Sequence, residues 1–140
     1  MRIIIDTNVL VSALLSESAP PGQLLAHWRQ ARFRLLSCAD QLEELRRVTR
    51  YPKIRARLSP ALAGRLVNEL SGLAEMIENL PSVDVSRDPW DNYLLAMAQV
   101  GNADYLVTGD KADLLSLQRH GRTHIVTVRN LLGLLGQAIG

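Results

Sequence analysis

Four acidic residues, each on a different predicted element, could act together on a phosphoryl group. They are Asp6, Glu44, Asp91 and Asp110. Carboxylates that converge repel one another and lose hydration when buried, so a cluster of them needs a cation. Oxygen ligands without Cys or His select a hard ion, Mg²⁺ or Mn²⁺. Because such an ion activates water and stabilises charge developing at a phosphoryl group, we expect metal-assisted chemistry at phosphate.

Asp6 is positioned by the stretch R-I-I-I-D-T-N near the start of the sequence. Ile3–Ile5 is typical of a strand that is buried on both faces, as in the centre of a parallel sheet. A residue directly after such a strand lies at the edge where open α/β sheets bind ligands. Thr7 or Asn8 could cap the following helix. For Asp6 considered alone, the alternative is an ordinary turn residue.

Glu44 must be distinguished from its neighbour Glu43 on the same predicted helix. Glu43 precedes Arg46 and Arg47 by three and four residues, so we expect it to face solvent and to form ion pairs with them. Glu44 lies one turn before Val48 and is predicted to border the buried face. The helical phase therefore favours Glu44 as the functional acid.

Asp91 is predicted to lie on the apolar side of its helix. It shares one helical face with Leu94, Leu95 and Ala98, at spacings of three, four and seven residues. Asp88, followed by proline, is typical of a helix N-cap. Asp91 could instead be a partner within that cap, but its inward face favours a functional role.

The elements that carry these acids alternate between short apolar runs and helical patterns, which predicts βα units and a mostly parallel sheet. The predicted strands are Ile3–Ile5, Phe33–Leu36, a short segment near Met76–Leu80, Tyr105–Val107 and Ile125–Val128. Four of the predicted helices are Val9–Leu15, Pro20 to about Ala31, Asp88 to about Val100, and Asn130–Ala138. Another is capped by Ser37, runs to about Arg50 and is stopped by Pro52. The sixth begins at Ser59-Pro60 and has Leu62, Leu66, Leu70 and Leu73 on one face.

The composition restricts the class of protein. A chain of 140 residues is long enough for one domain with its own core, and we expect residues 1–140 to form one. No apolar run reaches the roughly 20 residues of a membrane-spanning helix, and Asp6 interrupts the first run before it could serve as a signal peptide. The single cysteine, Cys38, excludes an internal disulfide and is expected to be a buried thiol. We therefore expect a soluble cytoplasmic protein with no membrane partner.

Positive charge is concentrated between Arg29 and Arg57. Nine basic residues stand there against three acidic ones, a local charge of +6, whereas the whole chain carries only +2. Such a segment could bind a phosphate backbone, and its alternative is a solvated face with salt bridges. The candidate nucleic-acid contacts are Arg46, Arg47, Arg50 and Lys53.

Several motifs together make the chain resemble the PIN-domain nucleases. They are D-T-N-V-L at the start, Glu44 on a following helix, D-P-W-D-N-Y-L-L-A-M-A and Y-L-V-T-G-D-K-A-D. The likeness is greatest to the VapC-like toxins of toxin–antitoxin pairs. It implies a three-layer α/β/α sandwich whose parallel five-stranded sheet has the strand order 3-2-1-4-5.

The resemblance also implies a function and a set of site residues. It implies Mg²⁺-dependent (or Mn²⁺-dependent) endoribonuclease activity that leaves 5′-phosphate and 3′-hydroxyl ends, a cognate antitoxin partner, and commonly a homodimer. Asp6, Glu44, Asp91 and Asp110 match the family's acidic residues, and Thr108 and Asn8 match its supporting polar positions. We therefore expect a nuclease for single-stranded RNA that acts through a metal.

Two other functions fit parts of the pattern. A phosphoacceptor receiver domain is also a small parallel α/β fold that uses Mg²⁺ and aspartates. Receivers need an acidic pair after the first strand, whereas Asp6 is followed by Thr7 and Asn8. The second alternative is a non-catalytic RNA-binding module on the same fold, which would bind RNA without Mg²⁺-dependent cleavage.

Overall fold

The computed structural model of the chain describes residues 1–109 and 112–139, and these form an α/β sandwich around one sheet. The strands are β1 (Arg2–Ile5), β2 (Arg34–Ser37), β3 (Glu75–Met76), β4 (Tyr105–Thr108), β5 (Arg119–His120) and β6 (Thr123–Thr127). The helices are α1 (Thr7–Leu15), α2 (Pro20–Arg29), α3 (Ala39–Val48), α4 (Pro52–Arg55), α5 (Pro60–Leu73), α6 (Asn92–Gly101), α7 (Ala112–Leu115) and α8 (Val128–Ile139), with a 3₁₀ turn at Pro89–Asp91 before α6.

The order of strands in the sheet is β3-β2-β1-β4-β6-β5. The first five strands of this order are parallel, and they reproduce the predicted order 3-2-1-4-5. The short strand β5 pairs antiparallel with β6 at one edge and was not predicted. It is formed by a hairpin in which Gly121 has a φ of 58°, a conformation that glycine adopts without steric cost.

The central strand β1 separates two layers of helices. Ile3 and Ile5 pack into a core that includes apolar residues of α1, α2, α5 and α8. Ile4 faces the other way and packs against Leu94 and Leu95 of α6. All three isoleucines are at most 1% exposed, so the prediction that this strand is buried on both faces is confirmed.

The prediction that Ser37 caps the third helix is wrong. Ser37 is the last residue of β2, because its backbone pairs with Met76 of β3 and so stays extended. The N-cap position of α3 is taken by Cys38, whose thiol is buried as expected. The helix ends at Val48 rather than near Arg50, and Pro52 begins the short helix α4 instead of only ending α3.

The apolar face predicted for the long helix α5 is also wrong in part. Ser59 caps this helix as predicted, because its hydroxyl accepts a hydrogen bond from the Leu62 backbone N–H. However, Leu62 is 41% exposed and Leu73 is 73% exposed. The buried face consists of Ala63, Leu66, Val67 and Leu70, whose spacing of three, four and seven residues follows the helical repeat more closely.

No helix in the described ranges combines the length and the apolarity that crossing a bilayer demands.

Candidate active site at the carboxyl edge of the sheet

Asp6 lies in the position that the sequence predicts, directly after β1 and before α1. Its backbone N–H donates to the carbonyl of Val107 (2.8 Å), which ties it to the neighbouring strand β4. Its side chain is almost fully buried, and its Oδ2 accepts a hydrogen bond from the Thr108 hydroxyl (3.0 Å). Thr108 therefore orients the Asp6 carboxylate, as a supporting polar residue would.

Helix α1 begins at Thr7, two residues earlier than the predicted start at Val9. Asp6 itself occupies the N-cap position, and neither Thr7 nor Asn8 does. Thr7 is buried in the first turn of the helix, whereas Asn8 is exposed to solvent. The structure thus brings Thr7, rather than the predicted Asn8, into the polar surroundings of the site.

Asp91 enters the same side of the molecule from the 3₁₀ turn before α6. The cap hydrogen bond of this turn comes from Asp88, whose Oδ1 accepts from the Trp90 N–H (3.1 Å). Asp91 is only 4% exposed, and Leu94 and Leu95 share its buried face. The predicted inward orientation is confirmed. Asp88 supplies the side-chain cap of the 3₁₀ turn, and Asp91 occupies the N-cap position of α6.

Glu44 lies on the side of α3 that borders the buried face, and Glu43 is exposed, as their helical phase predicts. The predicted ion pairs of Glu43 with Arg46 and Arg47 are wrong, because Arg47 instead lies 4.0 Å from the Glu44 carboxylate. This places one guanidinium at the rim of the candidate site.

A tyrosine that sequence analysis missed holds Glu44 in place. The hydroxyl of Tyr93 donates to Oε1 of Glu44 (2.6 Å) and lies 3.1 Å from the Thr7 hydroxyl. Burial raises the pKa of the Tyr93 hydroxyl, and its hydrogen bond to Glu44 raises this pKa further. Because Tyr93 follows Asp91 by two residues and Thr7 follows Asp6, this hydroxyl connects all three acidic segments.

A buried glutamine extends the same network beneath the site. Gln41 donates from Nε2 to the carbonyl of Ile5 (2.7 Å) and to the Thr7 hydroxyl (3.5 Å). Its Oε1 accepts a hydrogen bond from the Ser37 hydroxyl (2.6 Å). A signal for Gln41 did exist in the sequence, because it lies four residues before Leu45 and hence on the apolar face of α3.

Asn92 fixes the loop that leads into the site. Its side-chain Oδ1 accepts hydrogen bonds from the backbone N–H groups of Val85 (3.2 Å) and Ser86 (2.9 Å). This contact closes the end of the long loop before the 3₁₀ turn and thereby positions Asp91.

Acidic residues at the opposite edge of the sheet have structural roles instead. Glu75 forms a salt bridge with Arg2, and this hydrogen bond lowers the pKa of the Glu75 carboxyl. Asp104 accepts from the backbone N–H of Arg2 (2.7 Å) and pairs with Arg122 (2.7 Å), and these contacts lower its pKa as well. The ion pair of Arg2 with Glu75 joins β1 to β3 across β2, so these contacts stabilise the sheet at this edge.

The remaining predicted residues fall in different places. Asp110 lies outside the described residues, directly after the described pair Thr108-Gly109. Asp113 belongs to the first turn of α7. The predicted nucleic-acid contacts Arg46, Arg47, Arg50 and Lys53 are all exposed on or between α3 and α4, and Arg47 is the member of this set that contacts a candidate acid.

The donor set at the carboxyl edge fits a hard cation. Asp6, Glu44 and Asp91 offer carboxylates and Thr108 offers a hydroxyl, and oxygen ligands of this kind suit Mg²⁺ or Mn²⁺. In the described ranges, no three His, Cys, Asp or Glu side chains already lie close enough together to hold a metal ion. The chemistry of the residues therefore fits a divalent cation, with Asp110 as the further carboxylate that the sequence offers.

Comparison with known proteins gives a family and a distant relative. The family model described as PIN domain matches residues 2–112, a span that contains every candidate acid. The chain is also similar to an uncharacterized protein of Methanocaldococcus jannaschii, with 29% identity over 119 residues that cover 84% of this chain and 76% of the relative. No solved structure matches the chain.

Proposed function

The chain belongs to the PIN domain family, whose members are generally nucleases, and on this premise we propose that it is a metal-dependent endoribonuclease for single-stranded RNA. The observation that supports this proposal best is the pair of buried carboxylates at the carboxyl edge of the sheet. Asp6 is 2% exposed and Asp91 is 4% exposed, and they come from opposite halves of the chain. Burial of a carboxylate costs free energy unless hydrogen bonds, an opposite charge or a bound cation stabilise it, so two such groups at one edge of the sheet favour a cation-binding role.

Asp6, Asp91, Glu44 and Asp110 would hold Mg²⁺ or Mn²⁺ in this proposal. The metal, when bound, supplies a Lewis acid that activates water and stabilises negative charge on the scissile phosphate. The Thr108 hydroxyl fixes the rotamer of Asp6 through its 3.0 Å hydrogen bond. Tyr93 likewise fixes Glu44, so both carboxylates are oriented before a ligand arrives.

The reaction proposed is hydrolysis of an RNA phosphodiester. Water attacks phosphorus, the bond from phosphorus to the 3′ oxygen breaks, and that oxygen takes up a proton. The products carry a 5′-phosphate and a 3′-hydroxyl. The exposed basic residues Arg46, Arg47, Arg50 and Lys53 would hold the RNA backbone beside the acids.

The biological setting that we propose is that of a VapC-like toxin. Such a protein would consist of one domain over residues 1–140, act in the cytoplasm and form a homodimer. A cognate antitoxin would inhibit it by covering the acidic site. These statements rest on the likeness of the motifs around Asp6, Glu44, Asp91 and Asp110.

Three matched substitutions test the nuclease function. Asp6→Asn and Asp91→Asn each remove a buried carboxylate, whereas Asp88→Asn changes a cap residue to another good cap. The assay measures the cleavage rate of labelled single-stranded RNA with Mg²⁺. We expect Asp6→Asn and Asp91→Asn to lower this rate by more than the roughly 10–100-fold that is typical of supporting residues. Asp88→Asn should cleave RNA at the wild-type rate.

Two outcomes would contradict the proposed function, and a third would contradict the assignment of Asp91. Wild-type protein that binds RNA but does not cleave it with Mg²⁺ or Mn²⁺ would be a binding module. Wild-type protein that gains the mass of a phosphoryl group from a small phosphodonor would be a receiver-like domain. A normal cleavage rate in Asp91→Asn would show that the site does not use Asp91.

A further inference from the structure

A cavity between α3, α4 and α5 is lined by basic side chains and, among the described residues, by no acidic one. Its volume is about 330 Å³, and it is lined by three arginines, one asparagine and otherwise apolar or hydrogen-bonded residues. Arg46 lies in the last turn of α3, Arg50 follows the end of that helix by two residues, and Arg55 is the last residue of α4. Three arginines therefore line one space, whose volume is enough for a phosphate and its attached sugar.

The three arginines lack the partners that other arginines of the basic segment have. In the described part of the chain, no ion pair involves Arg46, Arg50 or Arg55, and no carboxylate lines the cavity. The paired arginines of the same segment are Arg29 with Glu69 (2.8 Å), Arg34 with Glu75 (3.3 Å) and Arg47 with Glu44 (4.0 Å). Like charges that share one cavity repel each other, so an anion bound among them would be stabilised.

The acid one helical turn before Arg46 on α3 is Glu43, three residues earlier. It is exposed, and it does not line the cavity. The lining contributed by α5 is neutral and includes the Asn68 side chain and Gly64. The cavity thus has one cationic wall and one neutral wall. This arrangement suits a phosphate group that contacts the arginines on one side and stays exposed to solvent on another.

We propose that this cavity is a phosphate-binding site for the RNA backbone, separate from the acidic site, and this inference rests on the proposed function. Glu44 and Arg46 are two residues apart on one helix. Side chains two residues apart on an α-helix point in directions about 200° apart. The cavity and the acidic site therefore lie on nearly opposite sides of α3, separated by about one helix diameter of 10–12 Å. An RNA strand that occupies both would cross α3 beside Arg47, which is exposed next to Glu44.

Gly64 offers a way to test the cavity without disturbing the fold. A Cβ atom added to Gly64 meets no heavy atom within 4 Å, and the same is true of Gly72 on the same helix. Gly64→Glu would introduce a carboxylate at the wall of the cavity and also raise helix propensity. Gly64→Gln is the neutral control of the same size, and Gly72→Glu is the same charge change outside the cavity lining.

The experiment measures binding of a short, fluorescein-labelled single-stranded RNA by anisotropy, in EDTA to prevent metal-dependent cleavage. We expect Gly64→Glu to weaken binding by roughly tenfold and to reduce the slope of log affinity against log salt by about 0.7, the loss of one phosphate contact. Gly64→Gln and Gly72→Glu should bind RNA as wild type does.

Equal affinities of Gly64→Glu and Gly64→Gln would overturn the proposal. A second outcome would also overturn it. If inorganic phosphate raises the melting temperature of wild type but not of Gly64→Glu, while the two proteins bind RNA equally well, the cavity binds free phosphate only. Cleavage measured in parallel separates this inference from the nuclease function. If RNA affinity falls in Gly64→Glu but not in Gly64→Gln, and the protein never cleaves RNA, the cavity proposal is supported and the nuclease function is contradicted.

Discussion

Removal of a single hydroxyl group, by Tyr93→Phe, should weaken the candidate site while leaving the fold intact. The hydroxyl donates to the Glu44 carboxylate at 2.6 Å and lies 3.1 Å from the Thr7 hydroxyl. A hydrogen bond to a charged group contributes about 1.5–3 kcal/mol net to stability. Because the Glu44 side chain is 22% exposed and water can partly replace the lost donor, we expect a loss near the lower limit, about 1.5 kcal/mol.

Thermal unfolding and cleavage kinetics together check this estimate. For a domain of this size, a loss of about 1.5 kcal/mol should lower the melting temperature by roughly 5 °C. The larger effect should be on metal use, because a carboxylate without its supporting hydrogen bond binds a cation about 10–100-fold less tightly. We therefore expect the Mg²⁺ concentration for half-maximal cleavage to rise by about tenfold or more, with a smaller change in the rate at saturating Mg²⁺.

Tyr51→Phe is the matched control, because it removes the same hydroxyl from an exposed tyrosine. It should leave both the melting temperature and the Mg²⁺ dependence unchanged. If Tyr93→Phe behaves like this control in both measurements, then the hydroxyl does not hold Glu44. If its melting temperature falls but its Mg²⁺ dependence does not change, Tyr93 is purely structural.

The helical phase of α3 and the buried thiol give two further predictions. Glu44→Gln should lower the rate of Mg²⁺-dependent cleavage at least tenfold, and Glu43→Gln should hardly change it. Equal losses of rate in parallel cleavage assays would contradict the role of Glu44. Burial raises the pKa of Cys38 from 9.0 to about 11, so the folded thiol should react with a maleimide at pH 8 about a hundredfold more slowly than the unfolded one. Because the unfolded thiol ionises at a lower pH than the folded one, the free energy of unfolding should fall by up to about 3 kcal/mol as the pH rises from 9.0 to about 11. Chemical denaturation of Cys38→Ala over the same pH range should not show this part of the loss.

Much of the fold could be predicted because local periodicity decides it. Three consecutive isoleucines indicated a doubly buried strand, and the spacing of Asp91 from Leu94 and Leu95 indicated an inward carboxylate. The order of the parallel strands, in contrast, came from the likeness to a family and not from any pattern of residues. The side on which a strand pairs is a long-range property that periodicity does not contain.

The errors occurred where a distant contact overrides a local signal. Ser37, three residues before Asp40, is typical of a helix cap, but pairing with Met76 keeps it in a strand. Tyr93 could not be recognised as a partner of Glu44, because 49 positions separate the two residues. The strand β5 has only two residues, too few to show any alternation.

The hydrogen bond from Thr108 to Asp6 has a consequence for how the protein is made. It joins residues 102 positions apart, and β1 likewise needs β4 as its neighbour. A ribosome that adds 5–20 residues per second therefore exposes Asp6 for roughly 5–20 s before Thr108 exists. The candidate site cannot assemble on a nascent or prematurely ended chain that stops before β4. The complete candidate site can therefore form in the cell only after nearly the whole polypeptide has been translated.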